Sequence, residues 1–438
     1  MQIKVAKFGG SSLSSAGQFK KVSDIVKSDK NRRYVVPSAP GKRSGNDDKV
    51  TDMLYACYDA VAIGKDFEEF FAPIRKRYTD IIEGLKLDLS LEDEFATIEK
   101  AFSENCGRDY AASRGEYLSG IILAAYLDFP FIDAAKVIFF DVNGKLDAPH
   151  SYQALTEMSH ENEYAVIPGF YGSMPDGTIK TFSRGGSDIT GSVVARGVDA
   201  EIYENWTDVS GFLVTDPRIV EEPQVIETIT FKELRELSYM GATVLHEDAI
   251  FPVRTAGIPI NIRNTNRPSD PGTMIVPPRV GEIRHGSITG IAGKKGFSVF
   301  HIEKDMMNQE VGFTRKVLSV FEKHGISFEH LPSGIDTMCI VVNSSVLSGR
   351  ADMLAKEIKS AASADSVEVI TGLSLIAVVG RGMVRSKGMA ARLFTAIAKA
   401  NINIRMIDQG SSELNIIIGV DDYDFKDTVN AIYNEFFG

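Results

Sequence analysis

Residues 3–12 read IKVAKFGGSS. The first six form a short β-type run. Gly9, Gly10, Ser11 and Ser12 follow, and then Phe19, Val22, Ile25 and Val26 recur at helical spacing. A strand that passes through a glycine pair into a helix opens an α/β unit. Two glycines let backbone N–H groups approach an anion, and the N-terminus of the helix beyond favours negative charge. Lys7 supplies a point charge suited to phosphate oxygens. The spacing is neither G-x-x-x-x-G-K-[ST] nor G-x-G-x-x-G, so neither of those nucleotide loops applies. Taken alone, the stretch is also explained by a tight turn beside a solvated lysine.

Outward from this point, strand-like and helix-like stretches alternate to about residue 280. Residues 34–36 read as a strand and 50–63 as a helix; AKVIFF (135–140), YAVIP (164–168), AEIYENW (200–206) and IPINIR (258–263) read as further strands. This alternation predicts an α/β fold with a mostly parallel sheet between layers of helices. Beyond residue 280 the texture changes, and two βαββ series follow each other. FSVFHIE, helix 312–325, ISFEHLPSG (326–334) and TMCIVVNS form the first, completed by helix 350–362 and SVEVIT. LIAVVGRGM, helix 388–400, NINIRMIDQGS and LNIIIGV form the second, closed by helix 424–437. Both predict ferredoxin-like βαββαβ modules. The second lacks a fourth strand, and SITGIAG (287–293) is the spare β-type segment to fill it. The expected division is a catalytic domain over 1–283, a first module over 297–371, and a second built from 284–296 and 372–438, with the first inserted in it.

Two further clusters carry residue types suited to small anionic substrates. Ser183-Arg184-Gly185-Gly186-Ser187-Asp188-Ile189-Thr190 lies between a strand and a helix and joins a carboxylate-recognising arginine to a glycine pair and an acid. Helix capping explains Ser187 or Asp188 but needs neither Arg184 nor two glycines. Trp206-Thr207-Asp208-Val209-Ser210-Gly211, with Thr215-Asp216-Pro217-Arg218 soon after, follows a strand end, where open α/β sheets bind ligands, although a turn explains both stretches equally well. Ser113-Arg114-Gly115-Glu116 and the loop from Ser38 to Lys42, with Thr51-Asp52, are weaker by themselves. In 438 residues the net charge of −11 argues against a nucleic-acid partner. Cys57, Cys106 and Cys339 show no metal spacing, so no protein-bound metal is expected. The absence of a signal-peptide pattern and of any long apolar run predicts a cytoplasmic protein away from membranes.

Together, K-F-G-G-S-S, S-R-G-G-S-D-I-T, W-T-D-V-S-G with T-D-P-R, and the tandem tail resemble the aspartokinase family, an amino-acid kinase fold with tandem ACT modules. The resemblance implies phosphoryl transfer from ATP, with Mg²⁺, to the side-chain carboxylate of aspartate, the first step toward lysine, threonine and methionine. It implies Lys7, Gly9, Gly10 and Ser11 on the ATP phosphates, with Thr207, Asp208, Asp216 and Arg218 near the nucleotide. Thr51, Glu116, Arg184 and Ser187 are implied at aspartate, and Lys7 and Asp188 at the reacting centre. Asp188 is assigned to orienting Lys7. A lysine common in relatives is replaced by Thr243, for which Lys42 is a substitute.

The first module is expected to take an amino-acid effector, lysine, through Met307, Gly312, Phe313, Thr314, Glu329, Ser333 and Asp336. Glu329 and Asp336 suit its ammonium groups. A homodimer or tetramer joined through the ACT modules is expected, and no fused homoserine dehydrogenase. The alternatives are another amino-acid kinase, against which the tandem tail speaks, and an inactive amino-acid sensor, against which Lys7, Arg184 and Asp188 speak.

Overall fold

Strands covered on both faces by helices must be apolar almost throughout, and any polar residue within them needs a partner. Val5, Ala6 and Phe8 have no exposed surface, nor do Val35 and Val36 beside them. These residues lie at the centre of a seven-stranded sheet in the computed structural model, which describes residues 2–183, 185–241, 247–278 and 286–438. The spatial order is Ala165–Val166, Arg32–Pro37, Lys4–Phe8, Ile202–Thr207, Ile260–Asn264, Thr273–Val276, Thr228–Thr230. Neighbours run parallel except Ile260–Asn264 with Thr273–Val276, which are antiparallel.

Buried polar residues in this sheet come in matched sets. Glu204 accepts from Arg32 (Nε to Oε2, 2.7 Å) and from Trp206 Nε1 (2.8 Å). The Arg32 and Arg263 guanidiniums lie 5.2 and 4.6 Å from the Trp206 ring, within the range of cation–π attraction. Lys7 and Asn205, in register on adjacent strands, form part of a second set described below.

Helix Arg108–Leu127 is buried on most of its surface, so small residues take the place of an amphipathic stripe. A Cβ on Gly115 would stand 2.7 Å from Ala39 Cβ, and one on Gly120 2.7 Å from Pro168. The sequence expectation of a strand over 135–140 is not met. Asp133 accepts from the Ala135 N–H (3.0 Å) and caps a 3₁₀ turn, Ala134–Lys136, leaving isolated bridges at Phe139 and Phe140. A local side-chain bond to the backbone has displaced the ladder.

By contact density the chain divides into two units. One comprises Met1–Phe212, Val225–Phe231 and Val244–Gly281; the other comprises Leu213–Gln224, Lys232–Thr243 and Glu282–Gly438. The second contains an antiparallel sheet in the order Thr337–Asn343, Gly290–Glu303, Ser366–Val379, Asn415–Asp421, Met406–Asp408. Its two central strands are long, and each serves two pairings. Residues 297–303 lie between Thr337–Asn343 and 366–373, whereas 290–294 pair with 375–379, which in turn pair with Asn415–Asp421. A register shift between Lys294 and Phe297, with Gly296 at φ 85°, marks the join. Two apolar cores follow, one around Phe300, Val317, Ile340 and Leu354, the other around Ile376, Leu393, Ile416 and Val429.

The strand expected over 326–334 is reduced to bridges at His330 and Ser333. Pro332 has no N–H to give a ladder. The matching stretch 401–411 keeps only Met406–Asp408.

Candidate active site

The KFGG turn starts from strand Lys4–Phe8 and enters the 3₁₀ turn Gly10–Leu13. Gly9 donates its N–H to the Trp206 carbonyl (2.9 Å), tying the turn to the neighbouring strand. The Gly10 carbonyl accepts from Gly41 N–H (2.8 Å). The two backbones are so close that a Cβ on Gly41 would stand 2.7 Å from Gly10 C, and one on Gly10 2.9 Å from Ala39 O. The loop after strand Arg32–Pro37 therefore lies on the turn. It is fastened by Asp47, which accepts two bonds of 2.8 Å from buried Arg77 and one of 2.9 Å from Arg43 Nε. Hydrogen bonding from Arg43, with the charges of both arginines, holds the Asp47 carboxyl well below the usual carboxylate range. Arg77 also donates to the Gly41 carbonyl (3.1 Å). Ser12 and Thr265 hydroxyls, 2.7 Å apart, fix the far side of the turn. The N–H groups of Gly10 and Ser11 stand at its open end, where helical turns leave donors without intrahelical acceptors.

Lys7, Gly9, Gly10, Ser38, Thr51, Glu116, Phe170, Gly185, Gly186, Ser187 and Asp188 line one cleft of about 220 Å³. Six separate stretches of the chain meet there. Lys7 Nζ is 2.6 Å from Asp188 Oδ1, and the lysine side chain is 9% exposed. Asn205 Nδ2 donates to the same Asp188 oxygen (2.8 Å), and its Oδ1 accepts from Lys7 Nζ (3.4 Å). Helix Gly186–Gly197 starts after Gly185, at φ 58°, and places Ser187 and Asp188 in its first turn. Gly186 admits no side chain: a Cβ there would be 2.3 Å from the Phe170 ring. Phe170 itself has φ 78°, held by its N–H to Thr190 Oγ1 (3.0 Å) and its carbonyl to Phe182 N–H (2.9 Å). Left-handed backbone in a bulky residue is uncommon and clusters at working sites.

Glu116 is buried at the cleft, and Oε2 has no hydrogen-bond partner among the described residues. Burial pushes its carboxyl up to about 8, against the opposing pull of the Ala39 N–H, the Ser187 hydroxyl and the Lys7 charge. A buried acid with a raised pKa and an unsatisfied oxygen beside a cleft is a candidate functional group.

Of the residues singled out in the sequence, Lys7, Gly9, Gly10, Thr51, Glu116, Ser187 and Asp188 meet in this cleft. Ser11 continues the turn. Thr207 ends the strand beside Lys4–Phe8, its carbonyl accepting from Thr265 N–H (2.9 Å), and Asp208 follows it, its carbonyl accepting from Asn264 Nδ2 (3.2 Å). Asp216 and Arg218 belong to the second unit and pair with each other at 2.6 Å, the arginine largely exposed. Arg184 and Thr243 lie outside the described residues. Lys42 is exposed beside buried Gly41.

In the second unit, Met307 opens a 3₁₀ turn and Gly312, at φ 85°, precedes helix Phe313–Lys323. Phe313 is buried, its N–H given to the Glu310 carbonyl (3.3 Å), and Thr314 is exposed. Glu329 accepts from the Tyr239 hydroxyl, and Ser333 and Asp336 are exposed. Sequence reading missed Asn205 and Phe170. The signal for Asn205 was present, since a Glu-Asn pair inside an otherwise apolar central strand must be matched by partners. Nothing in the sequence marks the left-handed backbone of Phe170.

Residues 2–264 match the model of the amino acid kinase family, and 376–436 that of the ACT domain. Over 99% of both chains the sequence is 39% identical to aspartokinase 3 of Bacillus subtilis. The chain belongs to the aspartokinase family. Its structure is similar to that of an aspartate kinase from Clostridium acetobutylicum, with a TM-score of 0.92, 54% identity and full coverage of both chains. E. coli aspartokinase III, 26% identical with both chains fully covered, matches at 0.70 in complex with aspartate and ADP and at 0.73 in complex with lysine and aspartate. As an aspartokinase the chain is a kinase, and ATP is its phosphoryl donor.

Proposed function

We propose that the Lys7–Asp188 cleft aligns the γ-phosphoryl group of MgATP with the side-chain carboxylate of L-aspartate, giving 4-phospho-L-aspartate and ADP. The observation that carries this reading is the convergence of the KFGG turn, Thr51, Glu116, Ser187 and Asp188 on one cleft. Lys7 meets the transferring oxygens, and Gly9, Gly10 and Ser11 provide the backbone of the phosphate turn. Thr207 and Asp208 serve the nucleotide. Thr51, Arg184 and Ser187 hold the aspartate carboxylates, and Glu116 receives its ammonium group. The E. coli enzyme's complex with aspartate and ADP supports the choice of these two ligands.

The attacking carboxylate is already ionised at neutral pH, so in-line attack needs no general base. Alignment and charge neutralisation supply the rate. Asp188 keeps Lys7 aimed rather than taking a proton. Among the described residues no three of His, Cys, Asp or Glu converge as metal ligands. Mg²⁺ would enter on the triphosphate and offset the charge of its oxygens.

The catalytic domain spans 1–283 in this reading, with ACT modules at 297–371 and at 284–296 with 372–438. The first module takes lysine, and the modules join subunits into a dimer or tetramer. The E. coli complex with lysine supports that effector. No helix among the described residues is long and apolar enough to cross a membrane, in keeping with a cytoplasmic enzyme. The deciding experiment is ADP release dependent on aspartate, measured with and without lysine and threonine. ADP release that ignores aspartate would sink the assignment.

A further inference from the structure

Asn205 takes no part in the reading above, yet it touches both members of the reacting pair. It sits opposite Lys7 in the parallel register of Lys4–Phe8 and Ile202–Thr207, and it is 3% exposed. Its amide is used at both ends. The carbonyl oxygen accepts from Lys7 Nζ (3.4 Å) and the NH₂ donates to Asp188 Oδ1 (2.8 Å). The reverse orientation would set NH₂ against the ammonium and oxygen against the carboxylate, so the surrounding charges fix the amide. Asp188 Oδ1 thus receives two donors, Lys7 at 2.6 Å and Asn205. An ammonium has three N–H groups. With one on Asp188 and one on Asn205, the third is left for the cleft that Lys7 lines.

We infer that Asn205 is a positioning residue: it locks the Lys7–Asp188 pair so that the remaining Lys7 N–H points at the transferring phosphoryl oxygen. Two acceptors hold the lysine where a single ion pair would let it swing, and the amide does so without adding charge beside the phosphates. The inference rests on the reading of Lys7 as the phosphoryl cation. The groups facing Asn205 are Lys7 from its neighbouring strand and Asp188 from helix Gly186–Gly197. Glu116, from helix Arg108–Leu127, senses the Lys7 charge, and the Tyr203 hydroxyl donates to the Asp188 backbone carbonyl (3.2 Å).

Two variants, Asn205→Leu and Asn205→Asp, test this beside wild type and Lys7→Ala, with thermal melts on each. Removing hydrogen bonds to charged groups predicts a loss of roughly ten- to hundredfold in kcat for Asn205→Leu. KM for ATP and aspartate should stay within about twofold, because alignment rather than binding is lost. Asn205→Asp keeps the shape but sets a second carboxylate beside Asp188 and Lys7. One of the two gains a proton more readily as pH falls. Its kcat relative to wild type should therefore rise as the pH is lowered from 8 to 6, a change that a purely structural role would not produce. Turnover by both variants within twofold of wild type overturns the inference. So does a loss confined to KM, or a pH-independent ratio for Asn205→Asp. If Lys7→Ala turns over normally, the reading of Lys7 itself fails; if only the Asn205 variants do, the reading stands and the positioning role falls.

Discussion

Lys7 and Glu116 are a base and an acid placed at the same cleft under different constraints. Lys7 is matched by Asp188 and Asn205 before any ligand enters. Lys7→Ala should therefore leave the fold intact by circular dichroism and lower kcat on the order of 10²–10³-fold, the usual effect of losing one donor to transition-state charge. Near-normal turnover in the folded variant would remove Lys7 from the chemistry. Glu116 is buried with an unsatisfied oxygen, and its carboxyl is pushed up to about 8. The empty protein thus holds it mostly protonated at pH 7. Seating an ammonium group beside it favours the ionised form, so aspartate binding should release a proton and KM for aspartate should fall as pH rises from 6 to 8. Calorimetry in buffers of different ionisation enthalpy reads the released proton, and zero release would contradict the assignment. Stability carries the opposite sign. The raised value means the unfolded chain ionises Glu116 first, so ligand-free wild type loses stability as pH rises from about 4.5 to about 8. Glu116→Gln should flatten that loss.

At the scale of elements, the turn proposed to hold the phosphates owes its shape to its neighbours. Gly9 is held by the Trp206 carbonyl and Gly10 by Gly41, and the 38–49 loop is fastened through Asp47 to Arg77. Replacing Gly41 by alanine drives a methyl to 2.7 Å from Gly10 C, a backbone atom with nowhere to go. Overpacking of this kind costs about 1–3 kcal/mol, and here it also displaces the N–H groups proposed to face the phosphates. Gly41→Ala should lower the melting temperature and raise KM for ATP at least several-fold. On the same loop, a Cβ on Gly45 meets nothing within 4 Å, and Gly45→Ala should leave both unchanged. Equal behaviour of the two variants would show that the close approach is unimportant.

At the scale of the whole molecule, the second unit exposes Met306, Val311 and Ile335 around the segments proposed for the effector. An unpaired sheet edge and exposed apolar side chains favour closed pairing of subunits. Light scattering at micromolar concentration should give a mass at least twice 47.9 kDa; the monomer mass would refute the pairing. Lysine should inhibit turnover, and Asp336→Ala should weaken that inhibition while leaving uninhibited kcat unchanged. Full lysine sensitivity in Asp336→Ala, or inhibition by threonine alone, would place the effector elsewhere.

The sequence by itself determined the order of elements, the α/β character of the first part and the two βαββ series of the second, because periodicity and glycine placement are local signals. It also picked out most of the cleft, since K-F-G-G sets a lysine and two glycines at a strand-to-helix turn and R-G-G-S-D combines residue types that a helix cap does not need. It read 135–140 and 326–334 as strands because apolar content does not reveal a competing Asp133 cap or the effect of Pro332. Only the tertiary structure decided which polar groups meet. Asn205 faces Lys7 through the register of two strands almost 200 residues apart, Gly10 is shaped by Gly41, and Glu116 is raised to about 8 by burial. Register, close approach and desolvation are properties of chain segments brought together, so no window of sequence contains them.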